Sequence, residues 1–304
     1  MMLFLYLISF LFVLNFDEWI FLWLGLELNM FSFLVLVYKK NSIQVFESCF
    51  KYFFVQSLGS GLFLGMLYLG CGDLLLLLLL SFKMGVGPFF MWVPSVANGL
   101  GWLECGFLLS FQSILPIYLM YMFSSWILWF ISFFSLAVGV IGSFHQLELK
   151  KLMVYSSIHH LGWMIVCQSV DGQLWLIYLI VYFIILLSVI KAFSDMGFLN
   201  LLEYSNNRFS MLIYMLSMGG MPPTLGFILK WLSFLFFIEY DYFLLFVMML
   251  FSVVMLYIYL RIIYDGILLS LSMDWMLVSA KGYSMKELFH LMGGLLIFFF
   301  ILLV

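Results

Sequence analysis

Lys83 stands inside an apolar run, in Ser81-Phe82-Lys83-Met84-Gly85-Val86-Gly87-Pro88-Phe89-Phe90-Met91-Trp92-Val93-Pro94. Two glycines and a proline follow it at once. Proline removes a backbone donor and clashes with the preceding turn, so a helix through this stretch breaks between Met84 and Pro88. In a bilayer such a break survives only where protein or a water-filled cavity satisfies the freed backbone groups. A lysine beside it marks an ion or proton path by default.

Composition places the break in lipid. The 304 residues are 66% hydrophobic and 9% charged, against roughly 25% charged in soluble domains, which excludes a water-soluble fold. A crossing of about 30 Å needs roughly 20 apolar residues, and turn residues and charges then parse the chain into about eleven spans. They fall near 1–14, 19–37, 48–70, 72–93, 101–123, 125–144, 149–168, 173–193, 208–238, 242–264 and 288–304. The ninth is long because Gly219-Gly220-Met221-Pro222-Pro223 interrupts it, and 266–287 reads as partly interfacial. The opening run from Met1 to Leu5 lacks a basic region and reads as a first span, not a signal peptide. The expected fold is all-α and integral to the membrane, one polytopic domain over 1–304. Cys49, Cys71, Cys105 and Cys167 are scattered, which argues against a metal site or disulfide framework. No G-x-G-x-x-G or Walker sequence supports nucleotide binding.

Loop charges test the parse. Lys39, Lys40, Lys150, Lys151, Arg208, Arg261, Lys281 and Lys286 all fall at even-numbered connections. The odd connections hold Asp17, Glu18, Asp73, Asp171, Glu239 and Asp241, with no lysine or arginine. By the positive-inside rule the N-terminus faces the matrix or cytoplasmic side and the C-terminus the opposite one.

Five charges lie within spans: Glu27, Lys51, Lys83, Lys191 and Lys230. Each costs about 2.5–3.5 kcal/mol at a helix centre, so all five facing lipid would cost on the order of 15 kcal/mol, and most are expected to face the bundle interior. Lys51 and Lys191 sit near span ends, where snorkelling is an equal alternative. Glu27, Lys83 and Lys230 are too deep for that. One carboxylate and two amines suit proton transfer, because neighbouring charges switch such groups between protonation states. His159 and His160, in Tyr155-Ser156-Ser157-Ile158-His159-His160, add imidazoles that titrate near neutrality. For either histidine a helix-packing hydrogen bond is the alternative to a relay role. The breaks at 84–88 and 219–223 mirror each other, with the lysine before the first and after the second. Paired interruptions of this kind mark an inverted-repeat transporter fold.

The same residues carry a resemblance. Gly25-Leu26-Glu27-Leu28-Asn29, Lys51-Tyr52-Phe53 with Gln56-Ser57, and Lys83-x-Gly85-x-x-Pro88-Phe89-x-x-Trp92-x-Pro94 are its first part. Lys151-Leu152-x-x-Tyr155-Ser156-Ser157-Ile158 with His160 and Gly162-Trp163-Met164 is the second. Gly219-Gly220-x-Pro222-Pro223-x-x-Gly226-Phe227-x-x-Lys230-Trp231 is the third. In this order, over nearly the whole chain, they resemble the chain 2 family of respiratory NADH:ubiquinone oxidoreductase, the antiporter-like membrane subunits of complex I.

The resemblance implies a multi-pass protein of the mitochondrial inner membrane, with its N-terminus on the matrix side and its C-terminus on the intermembrane-space side. It implies a subunit of a proton-translocating NADH:ubiquinone reductase that contributes proton translocation while electron transfer and quinone reduction occur elsewhere. It further implies no cofactor in this chain, other complex I membrane subunits and membrane phospholipids as partners, no nucleic acid, and no substrate beyond protons and water. Glu27 matches the family's interface glutamate, and Lys83 and Lys230 match the lysines of its two broken helices. Where the family has a lysine in a Gln-Lys-x-x-Pro context, Phe111-Gln112-Ser113-Ile114-Leu115-Pro116 has Ser113. Serine holds no proton at neutral pH, so His159, His160 or Lys191 is expected to take up part of the relay, histidine first, with Ser113 holding a water. A non-pumping structural spacer of the same complex and a free-standing cation/proton antiporter are the competing readings.

Overall fold

A computed structural model describes residues 2–15, 18–38, 42–70, 72–123, 125–146, 148–170, 173–196, 208–222, 224–238, 240, 242–268 and 290. The expected eleventh span apart from His290, the 266–287 stretch beyond Leu268, and Lys39, Lys40, Lys281, Lys286, Asp17, Asp171, Glu239 and Asp241 lie outside these residues.

The described chain is helical: α1 (Met2–Asn15), α2 (Trp19–Val37), α3 (Ile43–Tyr68), α4 (Asp73–Met84), a 3-10 turn (Gly87–Phe89), α5 (Trp92–Gly99), α6 (Trp102–Leu109) and α7 (Phe111–Tyr121). Then follow α8 (Ile127–Ser143), α9 (Leu149–Val170), α10 (Leu174–Met196), α11 (Arg208–Gly219), α12 (Leu225–Phe237) and α13 (Tyr242–Leu268). These helices coincide with the expected apolar segments, but the count of about eleven crossings goes beyond what they establish. Four described segments are long and apolar enough to cross a membrane, α6 and α7 together being one of them, or five when the bent pair of α4 and α5 is one span. α1 has 14 residues and α8 has 17, shorter than the roughly 20 of a typical crossing, while the charges and imidazoles of α9 and the polar face of α3 dilute their apolarity.

The chain forms two compact units, one of 1–138 with 157–169 and the other of 139–156 with 170–304. In the first, α2 packs on α1 and α3, α3 on α4 and α5, and α7 on α4 and α6. In the second, α11 packs on α10, α12 and α13, and α12 also on α10. α3 shows how such a unit is built. Ser42 caps its start, accepting from the Val45 N–H at 3.3 Å. Its exposed face carries Phe46, Phe50, Phe54 and Leu58, one turn apart, whereas Ser48, Tyr52, Gln56 and Ser60 are buried. An apolar outside around a partly polar inside is the arrangement lipid favours, because a buried hydroxyl or amide finds a partner only within the protein.

Both expected breaks are present, and they have one geometry. α4 ends in Gly85 at φ +69°, and Gly85 and Val86 donate back to Phe82 and Ser81 at 3.2 and 3.0 Å. α11 ends in Gly220 at φ +70°, and Gly220 and Met221 donate back to Ser217 and Leu216 at 3.3 and 3.2 Å. Each is a glycine-terminated helix end of the Schellman type, and a side chain at either glycine would be strained. After the first break the chain does not resume its direction. α5 leaves at 91° and runs to Gly99, past the expected end of that span near 93. A milder interruption at Ser110 divides α6 from α7, where only one uniform span was expected.

Candidate functional site

Helix breaks leave carbonyls without helical donors, and the first unit satisfies them with side chains. The Phe82 carbonyl accepts from the Trp92 indole N–H at 3.1 Å, and the Lys83 carbonyl accepts from Gln56 Nε2 at 2.8 Å. Lys83 itself is buried, 4% exposed. Its stem lies against Gly59 of α3, where an added Cβ would sit 2.8 Å from Lys83 Cγ. The ammonium of Lys83 makes no hydrogen bond to a described residue. Glu27, half-buried on α2, accepts a hydrogen bond from the Ser60 hydroxyl. A carboxylate, a buried ammonium and a broken helix are thereby gathered on α2, α3 and α4.

Beside Lys83 is a small cavity, with about 20 Å³ open to the centre of a water. Its polar wall consists of Lys83, Gln56, Gln112, Ser113 and Ser157. That volume suffices for one ordered water. Ser113 is buried, and its hydroxyl donates to the Ser110 carbonyl at 2.7 Å. His159 and His160 are also buried, but neither lines the cavity; their own helix presents Ser157 there instead. His159 Nε2 accepts from the Trp163 indole N–H at 3.2 Å, and the two imidazoles lie edge to face at 5.9 Å.

In the second unit Lys230 is buried, and its ammonium donates to the Gly219 carbonyl at 2.7 Å. Gly219 is the last residue of α11, so the cation sits on the negative end of that half-helix. Its partner is a backbone carbonyl, where Lys83 has a carboxylate nearby. Gly220 makes room for the stem, since a Cβ there would approach Lys230 Cδ and Cε at 3.0 Å.

The expectation that most in-span charges face inward holds for Lys83 and Lys230 and in part for Glu27. Lys51 and Lys191 are exposed. Lys51 pairs with Glu47 at 2.6 Å, one helical turn back on α3, a partner legible from i,i+4 spacing but not singled out above. Also passed over were Glu104, a half-buried carboxylate on α6, and His290, buried with its ring edge-on to Tyr214 at 5.2 Å. Gln56, Tyr52 and Ser60 recur every fourth residue of α3, which was the available signal for a buried polar face. Among the described residues no cluster of three His, Cys, Asp or Glu could hold a metal ion.

Comparison with known proteins finds relatives over most of the chain. Residues 67–256 match the family described as NADH:quinone oxidoreductase/Mrp antiporter, transmembrane. NADH-ubiquinone oxidoreductase chain 2 of Aedes aegypti is 32% identical over 87% of this chain and 84% of its own length. Among solved structures, a chain of respiratory complex I from Thermus thermophilus superposes with a TM-score of 0.79 at 22% identity, over 97% of this chain and 75% of that one. A chain of the Mrp complex from a Dietzia species gives 0.78 at 15% identity, over 87% of this chain, which spans 59% of that one. At such identities the two structures speak for the fold.

Proposed function

The chain belongs to the NADH-ubiquinone oxidoreductase chain 2 family, within the NADH:quinone oxidoreductase/Mrp antiporter group, and from that premise we propose that it moves protons across the inner membrane as a membrane-arm subunit of respiratory complex I. Lys83 is the central proton-transfer group, Glu27 the charge that biases it, and Lys230 a second ammonium at the other break. Quinone reduction in neighbouring subunits supplies the energy, and this chain holds no redox cofactor. The other membrane subunits and phospholipids are its partners. The N-terminus faces the matrix and the C-terminus the intermembrane space.

One observation carries the reading. Lys83 is buried against Gly59, next in sequence to the Ser60 that bonds Glu27, and on the wall of a polar cavity large enough for water. A group that only filled space would not retain a buried ammonium, because burying a cation without a function is costly. The spacer reading has its support in Ser113, which leaves no titratable side chain on the far wall of that cavity.

The test uses the assembled complex in sealed vesicles, comparing proton uptake with NADH oxidation. Lys83→Met is expected to assemble and to lose coupled translocation. A Lys83→Met complex that translocates like the unmodified one favours the spacer.

A further inference from the structure

We infer that Gln112 is a positioning residue that fixes a water between Lys83 and Ser113, with Asn29 and Tyr52 locking its amide. The inference rests on the reading of Lys83 as a proton-transfer group and names what carries the proton onward from it.

The amide of Gln112 is held at one end only. Its Oε1 accepts from Asn29 Nδ2 and from the Tyr52 hydroxyl, both at 3.1 Å. Those donors come from α2 and α3, so two helices fix the amide plane. The other end, Nε2, is buried without a hydrogen-bond partner among the described residues. Native interiors rarely leave a donor in that state, and an ordered water is the usual remedy. The same side chain lines the cavity shared with Lys83 and Ser113.

Two further features favour a water there. Pro116 lies four residues beyond Gln112 and has no N–H, so the Gln112 backbone carbonyl lacks its helical donor as well. The Ser113 hydroxyl already spends its proton on the Ser110 carbonyl, so towards the cavity it offers lone pairs. A water there accepts from Gln112 Nε2 and from the Lys83 ammonium and donates to Ser113. Three partners are the ordinary complement of a buried water. Because serine cannot store a proton, the water must be held in place for a proton leaving Lys83 to find it. Gln112 supplies that hold.

The experiment is a map of the assembled complex at a resolution that shows waters, joined to proton-uptake measurements. In the unmodified protein, density is expected within hydrogen-bond distance of Gln112 Nε2. Gln112→Leu is expected to lose that density, to assemble, and to lower coupled translocation about tenfold, the scale of one lost hydrogen bond to a charged path. Adding Ser113→Lys to Gln112→Leu is expected to restore translocation, which a purely structural role for Gln112 would not permit. A dry cavity in the unmodified protein, or normal translocation by Gln112→Leu, overturns the inference. If Gln112→Leu does not assemble, Tyr52→Phe reports instead: a displaced or missing water supports the inference and an unmoved one overturns it. Lys83→Met separates the two readings. Normal translocation by that variant sinks the proton-transfer role, whereas its failure beside a normal Gln112→Leu sinks only the water site.

Discussion

The Lys230 ammonium donates to the Gly219 carbonyl at 2.7 Å and so closes the broken end of α11 with a charge. At the end of α4 a freed carbonyl one residue earlier in register, that of Lys83, accepts from the neutral amide of Gln56 at 2.8 Å. Two breaks with the same backbone geometry thus employ their lysines differently. Lys230 serves the backbone of its break, and the Lys83 ammonium bonds to no described residue.

That difference predicts unequal structural costs. Lys230→Met strands a buried carbonyl, worth about 1–3 kcal/mol, and should lower the thermal inactivation temperature of the complex. Lys83→Met removes no hydrogen bond between the ammonium and a described residue and should leave that temperature closer to the unmodified value. Thermal inactivation of NADH oxidation, measured on both variants, checks the order. Equal stability in the two would show that the Gly219 contact contributes nothing.

Gly59 sets the position of Lys83. In Gly59→Ala the new Cβ would meet Lys83 Cγ at 2.8 Å, near the rigid base of the side chain. Alanine is also the better helix former by about 1 kcal/mol, so α3 itself should not suffer. The expected result is normal assembly with reduced proton uptake. Gly61→Ala is the control, since a Cβ there meets nothing within 4 Å.

Glu27→Gln preserves an acceptor for the Ser60 hydroxyl and removes the charge. If the carboxylate acts on Lys83 electrostatically, the variant should assemble and translocate poorly, and Glu27→Asp should recover part of the rate. Translocation by Glu27→Gln at the unmodified rate would leave Glu27 a structural acceptor only.

The loop charges predict an orientation. Cysteines placed at Lys150 and at Asp73 should react with membrane-impermeant thiol reagents from opposite sides, Lys150→Cys from the matrix side. The probes are placed in a Cys71→Ser background, the native thiols Cys49, Cys105 and Cys167 being buried. Labelling of both positions from one side would undo the topology.

The sequence by itself determined where the helices lie and where they break. Apolar length is a local property, and Gly85, Pro88 and Gly220 act on the backbone within a turn of themselves, so 84–88 and 219–220 were readable without a neighbour in view. Lys83 and Lys230 stood out for a related reason, being charges too deep in an apolar run to reach its end. The number of crossings was less legible, because α1 and α8 are short and the polar face of α3 resembles a weaker span. Only the tertiary structure decided which charges turn inward. Lys51 and Lys191 carry the same ammonium as Lys83, yet they are exposed, because a helix position faces in or out according to what packs against it. Packing likewise brought Gln56 to the Lys83 carbonyl across 27 positions and Asn29 to Gln112 across 83. Those partners share no local signal with the groups they satisfy. A buried amide takes whichever hydrogen-bonding group the fold carries to it, and that choice exists only once α2, α3, α4 and α7 have packed.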